Sequence, residues 1–206
     1  MTPETGTEEG AQTTAVSEKD RVESDQAYVD WLKADLGGLI DELKLSGLRK
    51  RMLKSRWLDQ VLWMEGRANH ARNWYYWLRL TAIIGGILIP ICITISQVSR
   101  LGWMVWVATG LGVLVAIAAA VEEFFHYGDR WRNYRNTAEL LKIEGWQFFQ
   151  LSGPYNRRRS HNHAYEKFAA RVEEIIHRDV QIYISEIVGE REGKEDEEAE
   201  AEEPNG

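Results

Sequence analysis

The densest cluster of groups able to do chemistry is a basic loop in the last third of the chain. Arg157, Arg158 and Arg159 are consecutive, and His161 and His163 follow just beyond them. Guanidinium groups bind phosphate through paired hydrogen bonds, so the run is a candidate phosphate- or nucleotide-binding loop. A lipid headgroup site and a solvated basic loop paired with acidic tails are the two other interpretations.

The same loop offers little to a metal ion or to covalent catalysis. His161 and His163 stand two positions apart, only Glu166 adds a nearby acid, and the single cysteine, Cys92, lies far away in the sequence. Structural metal sites use about four such ligands. The sequence also lacks a phosphate-cradling glycine loop and a nucleophile with a neighbouring base. We therefore expect no metal, no cofactor, no enzymatic activity and no nucleic-acid partner.

Two long uncharged runs at the centre of the chain are the elements that must position this loop. Residues 80–98 and 102–121 contain no Asp, Glu, Lys or Arg. A bilayer core about 30 Å thick is crossed by about 20 residues of helix, so each run fits one crossing. We predict transmembrane helices at residues 78–98 and 103–121, joined by an external turn at residues 99–102. A hairpin buried in a soluble core is disfavoured, because neither run has a polar face.

The arginines near the two runs predict their orientation. Three arginines lie within residues 67–79 before the first run and three within residues 130–135 after the second, whereas the connecting turn holds only Arg100. Because Lys and Arg accumulate on the cytoplasmic side, both termini are expected to face the cytoplasm. The WYYW run at residues 74–77 is typical of an aromatic anchor at a membrane interface.

Helical patterns on both sides of the runs predict a bundle. Residues 17–77 indicate cytoplasmic helices, with either a break or a bend at Gly37 and Gly38. The last of these helices continues into the first span. Residues 122–188 extend the second span as a straight helix to about Gln150 and then form a last helix with apolar residues at helical period. The predicted fold is an all-α membrane protein, a two-span transmembrane helical hairpin with long cytoplasmic helical extensions forming a bundle.

Both ends of the chain are acidic. The first 30 residues carry a net charge of −6 and residues 189–206 carry −7, whereas residues 31–188 carry +6. Segments with high net charge and few apolar residues bury too little surface to fold, so we predict disordered tails at residues 1–16 and 189–206. The middle of the chain is thus a basic module between two acidic tails.

Small residues, with one proline, recur every four positions within both predicted spans. They are Ala82, Gly86 and Pro90 in the first span and Ala108, Gly112, Ala116 and Ala120 in the second. Helices associate in lipid through close packing, which small residues permit. The stripes join either the two spans of one chain or the spans of neighbouring chains. We expect at least one intermolecular use, and hence a homo-oligomer in contact with membrane lipid.

Few polar groups lie in or beside the spans. Thr81, Thr94 and Thr109 carry hydroxyls, and Glu122 and Glu123 stand at the inner end of the second span. The absence of an ionisable group near the midplane argues against a proton-coupled transporter. An oligomeric pore can be lined by hydroxyls and small residues, so these five residues are candidates for its lining or mouth. A solvated interfacial pair is the alternative for the two glutamates.

The stretch WRNYRNTAELLKIEGWQFFQLSGPY at residues 131–155 resembles the SLATT superfamily. The WYYWLR stretch at residues 74–79 and the GG and IP pairs of the first span are similar too, and the resemblance covers residues 57–188. These are two-transmembrane effector domains of bacterial conflict systems, with a related two-span family named only as a domain of unknown function. The resemblance implies a bacterial inner-membrane effector that forms a pore when a linked sensor detects a nucleotide signal.

Two functions stay open on this basis. The first is an oligomeric membrane effector that forms or gates an ion-permeable pore. The alternative is a non-conducting membrane scaffold that presents a cytoplasmic helical bundle to protein partners. Because the sequence shows no second folded domain, we expect the sensor of the first hypothesis to be a separate protein or the basic loop itself.

Overall fold

The computed structural model describes the backbone of residues 6–99 and 101–202, and the side chains of residues 20–99, 101–182 and 184–185. Over these residues the protein is all-helical and has no strand. The helices are α1 (Gly6–Glu42), α2 (Gly47–Met52), α3 (Asp59–Ser99), α4 (Trp103–Phe125), α5 (Tyr127–Phe149) and α6 (His161–Glu202). A π-helical segment, Leu53–Leu58, joins α2 to α3, and a 3-10 turn, Gly153–Tyr155, precedes α6.

Helix α1 runs unbroken through Gly37 and Gly38, so of the two alternatives predicted there the break is wrong. A glycine in a helix costs only about 1 kcal/mol, and Leu36 and Ile40 on either side are fully buried. Their burial outweighs the cost of the two glycines. Local propensity alone was therefore a poor guide at this position.

Helical backbone also reaches into the two acidic tails that the sequence predicts to be disordered. Helix α1 begins at Gly6 and α6 ends at Glu202. Neither helix contains a proline, and the end of α6 is rich in Glu and Ala, which are good helix formers. The first five and the last four residues of the chain, and Arg100 in the predicted turn, lie outside the described residues.

The second uncharged run does not continue as the predicted straight helix. Helix α4 ends at Phe125, and His126 adopts the left-handed conformation with φ of 48°. The His126 N–H donates to the Glu122 carbonyl at 2.9 Å, which closes α4. Gly128 then packs on Tyr75, since a Cβ at Gly128 would lie 2.9 Å from the ring. The break lets the first turn of α5 lie against α3.

The chain divides into two compact units. Unit 1 comprises Met1–Ala34 and Leu62–Arg135, and unit 2 comprises Asp35–Val61 and Asn136–Gly206. Unit 1 contains the two uncharged runs, and unit 2 contains the basic loop. Helices α1, α3 and α5 each contribute residues to both units.

Trp57 is the centre of the unit 2 core. Its ring is buried, its Nε1 donates to the Leu141 carbonyl at 2.9 Å, and it packs edge-on against Phe149 and Phe168. Gly145 lies directly against this ring, because a Cβ there would be 2.0 Å from Trp57 Cζ2. The π-helical segment presents Trp57 to the core, since residues four and five apart share one face of its wider turn.

We expect Gly145→Ala to destabilise unit 2, because the added methyl group overlaps the Trp57 ring. Overpacking of this kind costs about 1–3 kcal/mol. The matched control is Gly38→Ala in the same unit, where nothing lies within 4 Å of the new Cβ and the helix gains about 0.5–1 kcal/mol. Thermal unfolding followed by far-ultraviolet circular dichroism in detergent compares the two. Equal melting temperatures would contradict the packing of Gly145 on Trp57.

Candidate functional site

Helices α3 and α4 pair along one seam of buried and half-buried residues. These residues recur at alternating intervals of three and four positions on each helix. The seam comprises Leu78, Ala82, Gly85, Ile89, Cys92 and Ser96 on α3, and Met104, Ala108, Leu111, Val115 and Ala118 on α4. A period of 3.5 residues is that of helices coiled around each other with a left-handed twist.

Gly85 marks the closest approach of the two helices. It is buried, and a Cβ there would lie 2.2 Å from Val115 Cγ2. Gly86, which the sequence stripe contains, is exposed and has nothing within 4 Å of a Cβ. The four-residue stripe missed Gly85 because the seam advances by 3.5 residues.

The structure thus places some residues of the predicted stripes on the seam and the others outside it. Ala82 and Ala108 lie on the seam. The exposed members are Gly86, Pro90, Ala116 and Ala120, and Gly112 is half-buried with no atom within 4 Å of a Cβ. The pairing of α3 with α4 therefore leaves most of both stripes uncovered by the described chain.

A second face of α4 lies beside the seam and is lined by small or polar residues. It comprises Thr109, Gly112, Ala116, Ala119 and Glu123, again at intervals of three and four. We call this the outer α4 face. Four of these residues are exposed, and Glu122, the neighbour of Glu123, is half-buried beside the seam. Ala119 belongs to this face but falls outside the predicted four-residue stripe of α4, which continues from Ala116 to Ala120.

The three threonine hydroxyls of the uncharged runs bond within their own helices. Thr81, Thr94 and Thr109 each donate to the carbonyl four residues earlier, at 2.9, 2.8 and 2.9 Å respectively. Each donor is therefore satisfied without a water or a partner. The oxygen lone pairs stay available as acceptors for water or a cation.

Aromatic side chains and an ion pair with a buried carboxylate occupy the junction of α3 with α5 in unit 1. Trp131 stacks on Tyr75, with ring centroids 6.4 Å apart. Glu65 is fully buried, and its carboxylate accepts from Arg135 Nη1 at 2.6 Å. This bond joins residues 70 positions apart in the chain, so no local pattern predicts it. Further along α5, Lys142 Nζ donates to the Glu139 carboxylate at 2.8 Å.

The basic loop exposes its three arginines. Arg157, Arg158 and Arg159 make no ion pair within the described part of the chain. His161 Nε2 donates to the Phe149 carbonyl at 3.0 Å, and His163 Nδ1 lies 2.8 Å from the Ser160 hydroxyl. The histidines thus shape the start of α6, while the guanidinium groups stay open to an anion.

Unit 2 contains a hydrogen-bond network around a buried carboxylate that the sequence did not predict. Glu144 is 3% exposed and accepts from Arg171 Nε and Nη2 at 2.7 and 2.9 Å, and from the Tyr155 hydroxyl. Burial raises the pKa of Tyr155, and the bond to Glu144 raises it further, so the hydroxyl stays a donor. The hydrogen bonds to Glu144 raise the pKa of Arg171. No local pattern links residues 11 and 27 positions apart.

These features define an all-helical protein with two helices long and apolar enough to cross a membrane. The chain belongs to the family described as "Protein of unknown function (DUF4231)", whose family model matches residues 59–163. The match covers α3, α4, α5 and the basic loop, and it meets the expectation of a family named only as a domain of unknown function. Comparison with curated proteins and with solved structures gave no match.

We expect Arg171→Met to destabilise unit 2 far more than Tyr155→Phe. The first leaves the buried Glu144 carboxylate without its charged partner, which costs about 3 kcal/mol, and the second removes one hydrogen bond worth about 1 kcal/mol. Arg178→Met is the matched control on α6, because its pair with Glu174 is exposed and contributes under about 1 kcal/mol.

Chemical denaturation of the full chain in detergent measures these three differences. The order expected for the loss of stability is Arg171→Met, then Tyr155→Phe, then Arg178→Met. Equal effects of Arg171→Met and Arg178→Met would contradict a structural role for the Glu144 network.

Proposed function

We propose that the protein is an oligomeric membrane effector of the bacterial inner membrane, in which assembled α3–α4 hairpins form or gate an ion-permeable pore. The outer α4 face carries this proposal. Its small residues allow close approach of a neighbouring helix in lipid, and the described chain leaves the face uncovered. Thr109 and Glu123 give the same face a hydroxyl and a terminal carboxylate.

The apolar surface of the hairpin supports its insertion in a bilayer. Ile83, Ile87, Val113, Leu114 and Ile117 are all more than half exposed. An exposed apolar surface that extends over two helices is typical of a surface that contacts lipid or another protein. The backbone N–H and C=O groups of these helices bond to one another within each helix, as the interior of a bilayer requires. The arginines before the first uncharged run and after the second support an orientation in which both chain termini lie on the cytoplasmic side of the membrane.

The pore requires several copies of the chain. Within one copy, seam residues such as Leu111 and Val115 fill the space between α3 and α4, and Gly85 brings the helices together. An ion path therefore needs outer α4 faces arranged around a common axis. There the Thr109 oxygens would accept from water, and a ring of Glu123 carboxylates at one end would attract cations.

The trigger in this proposal is an anionic ligand or a separate sensor protein. The resemblance to SLATT effectors suggests nucleotide-linked sensing. Arg157, Arg158 and Arg159 are exposed on one short loop, and a guanidinium cluster suits phosphate recognition. The basic loop is therefore the proposed phosphate site of this chain.

A non-conducting membrane scaffold is the second candidate. The bonding of all three threonine hydroxyls within their own helices favours it, since those donors need no aqueous lumen. In that case the hairpin anchors the chain, and unit 2 presents binding surfaces to partner proteins.

Conductance of the purified full chain in planar bilayers separates the two candidates. We expect discrete cation-conducting steps, and Glu123→Gln should lower the preference for cations over anions, since it removes charge at the pore mouth. Glu174→Gln, an exposed change in unit 2, is the control and should leave selectivity unchanged. A silent bilayer at high oligomer occupancy, with and without nucleotides, would reject the pore and favour the scaffold.

We expect Gly112→Leu combined with Ala116→Leu to weaken self-association, because the larger side chains hold neighbouring backbones apart. Val113→Leu is the control, since it enlarges an exposed side chain beside the outer α4 face by one methylene. Light scattering coupled to size-exclusion chromatography in detergent gives the mass of each variant. The same oligomer mass in the double variant and in the control would exclude this face from assembly.

A further inference from the structure

An open groove of about 350 Å³ lies in unit 2 between the π-helical segment and α6. We call it the unit 2 groove. Its floor is formed by Leu53, Trp57, Phe168, Ala169 and Val172. Along α6 the lining extends from Tyr165 to Glu173, which is about 12 Å at 1.5 Å per residue. The groove is therefore about two helical turns long.

A cation stands at each end of the groove. The Arg49 guanidinium lies over the Tyr165 ring at 4.9 Å from its centroid. At the other end, Arg56 donates through Nε and Nη2 to the Glu173 carboxylate, at 2.7 Å each. These hydrogen bonds lower the pKa of Glu173, so the pair stays charged at neutral pH. Nη1 of Arg56 takes no part in this pair.

The other charged side chains of α2, the π-helical segment and α6 near the groove differ in whether they are paired and in how exposed they are. Arg51 is exposed and makes no ion pair within the described residues. Lys54 binds the Asp41 carboxylate at 2.7 Å. Glu166 is the nearest carboxylate to Arg49, at 3.9 Å, but its side chain is 90% exposed. An approaching anion thus meets Arg49, whose Nη1 donates to the Asn162 carbonyl at 3.0 Å and to its Oδ1, and the free edge of Arg56.

Two exposed apolar side chains extend the groove onto α2. Leu48 is 65% exposed and Met52 is 50% exposed. Methionine adapts its shape to different partners. The π-helical turn beside them is a rare backbone form that occurs often at functional sites. This segment buries Trp57, while its Arg56 and the preceding Met52 of α2 line the groove.

We propose that the unit 2 groove is a docking site for an acidic amphipathic helix of a partner protein. Two turns of helix present apolar anchors at positions i, i+3, i+4 and i+7, which match the length of the apolar floor. Carboxylates at both ends of such a helix meet Arg49 and Arg56, which stand seven residues apart in the chain. The inference goes beyond the proposed function and holds whether or not the hairpin conducts.

Charge and composition separate this occupant from the alternatives. An anionic amphiphile has one charged head on an acyl chain, so it would engage either Arg49 or the free edge of Arg56, but not both. The acidic residues 189–206 of the chain itself contain no apolar side chain larger than Ala apart from Pro204. They cannot fill an apolar floor.

The test uses the full chain in nanodiscs of zwitterionic lipid. The probe is a labelled helical peptide of about 14 residues with Leu at i, i+3, i+4 and i+7 and Glu on its other faces. A peptide with Lys in place of Glu and a scrambled acidic peptide are the controls. Fluorescence anisotropy, with empty nanodiscs subtracted, should show about tenfold tighter binding of the acidic amphipathic peptide than of either control.

Variants of the chain locate the binding. Ala169→Phe fills the half-buried floor, and Arg56→Gln removes the cation at one end of the groove, so each should weaken binding of the acidic peptide by about tenfold. Arg178→Glu, an exposed change on α6, should leave its affinity unchanged. Circular dichroism verifies that each variant is folded.

Three outcomes would overturn the proposal. The first is equal affinity for the acidic and basic peptides, and the second is unchanged binding in folded Ala169→Phe. The third uses a fluorescent fatty acid, which represents the anionic amphiphile. Binding of that probe in an Ala169-dependent way, without binding of the acidic peptide, would assign the groove to a small amphiphile.

Discussion

The close approach of α3 and α4 at Gly85 is the constraint on which the rest of unit 1 depends. With a Cβ position 2.2 Å from Val115, only glycine allows α3 and α4 to meet along their 3.5-residue seam. That seam fixes the rotation of each helix, and the rotation decides which residues face outward. The outer α4 face, with Gly112 and Ala116, is a consequence of it. The seam also fills the space between the helices, so any aqueous path must arise between copies of the chain rather than within one.

Unit 2 depends on a different kind of interaction, the burial of polar groups with complete partners. Trp57 satisfies its ring nitrogen on a backbone carbonyl of α5, and Glu144 receives three donors from Arg171 and Tyr155. A buried carboxylate without such partners would destabilise the fold. Because these contacts hold α5 and α6 to the π-helical segment, they also set the walls of the unit 2 groove. The apolar floor of the groove is thus the outer edge of the same core.

The sequence predicted features that depend on local composition and missed those that depend on packing. The positions of the two uncharged runs followed from the charge gaps at residues 80–98 and 102–121, and each run forms continuous helix in α3 or α4 from residue 80 to 98 and from residue 103 to 121. The break at His126 did not, since its cause is the contact of Gly128 with Tyr75 more than 50 residues earlier. The unbroken α1 at Gly37 and Gly38 likewise reflects the burial of Leu36 and Ile40. At the candidate site, the four-residue stripes identified Ala82 and Ala108 but missed Gly85 and Ala119, because a period of four drifts away from a period of 3.5.

In the proposed assembly, the choice between pore and scaffold depends on how closely the outer α4 faces of neighbouring chains approach one another. If several such faces pack closely through Gly112 and Ala116, helix contact fills the axis and the assembly is a non-conducting bundle. If the faces stand apart around the axis, the Thr109 oxygens and the Glu123 carboxylates line a lumen, and only then can their acceptor capacity serve an ion. Threonine donors that are already satisfied within the helix need no aqueous lumen, which favours the closed bundle, whereas the oxygen lone pairs can accept from water only in the open assembly. The decisive variable is therefore the separation of the α4 helices in the assembly. A conformational trigger acting on unit 2 would have to change that separation through α3 and α5, the helices that extend from the uncharged hairpin and contribute residues to both units.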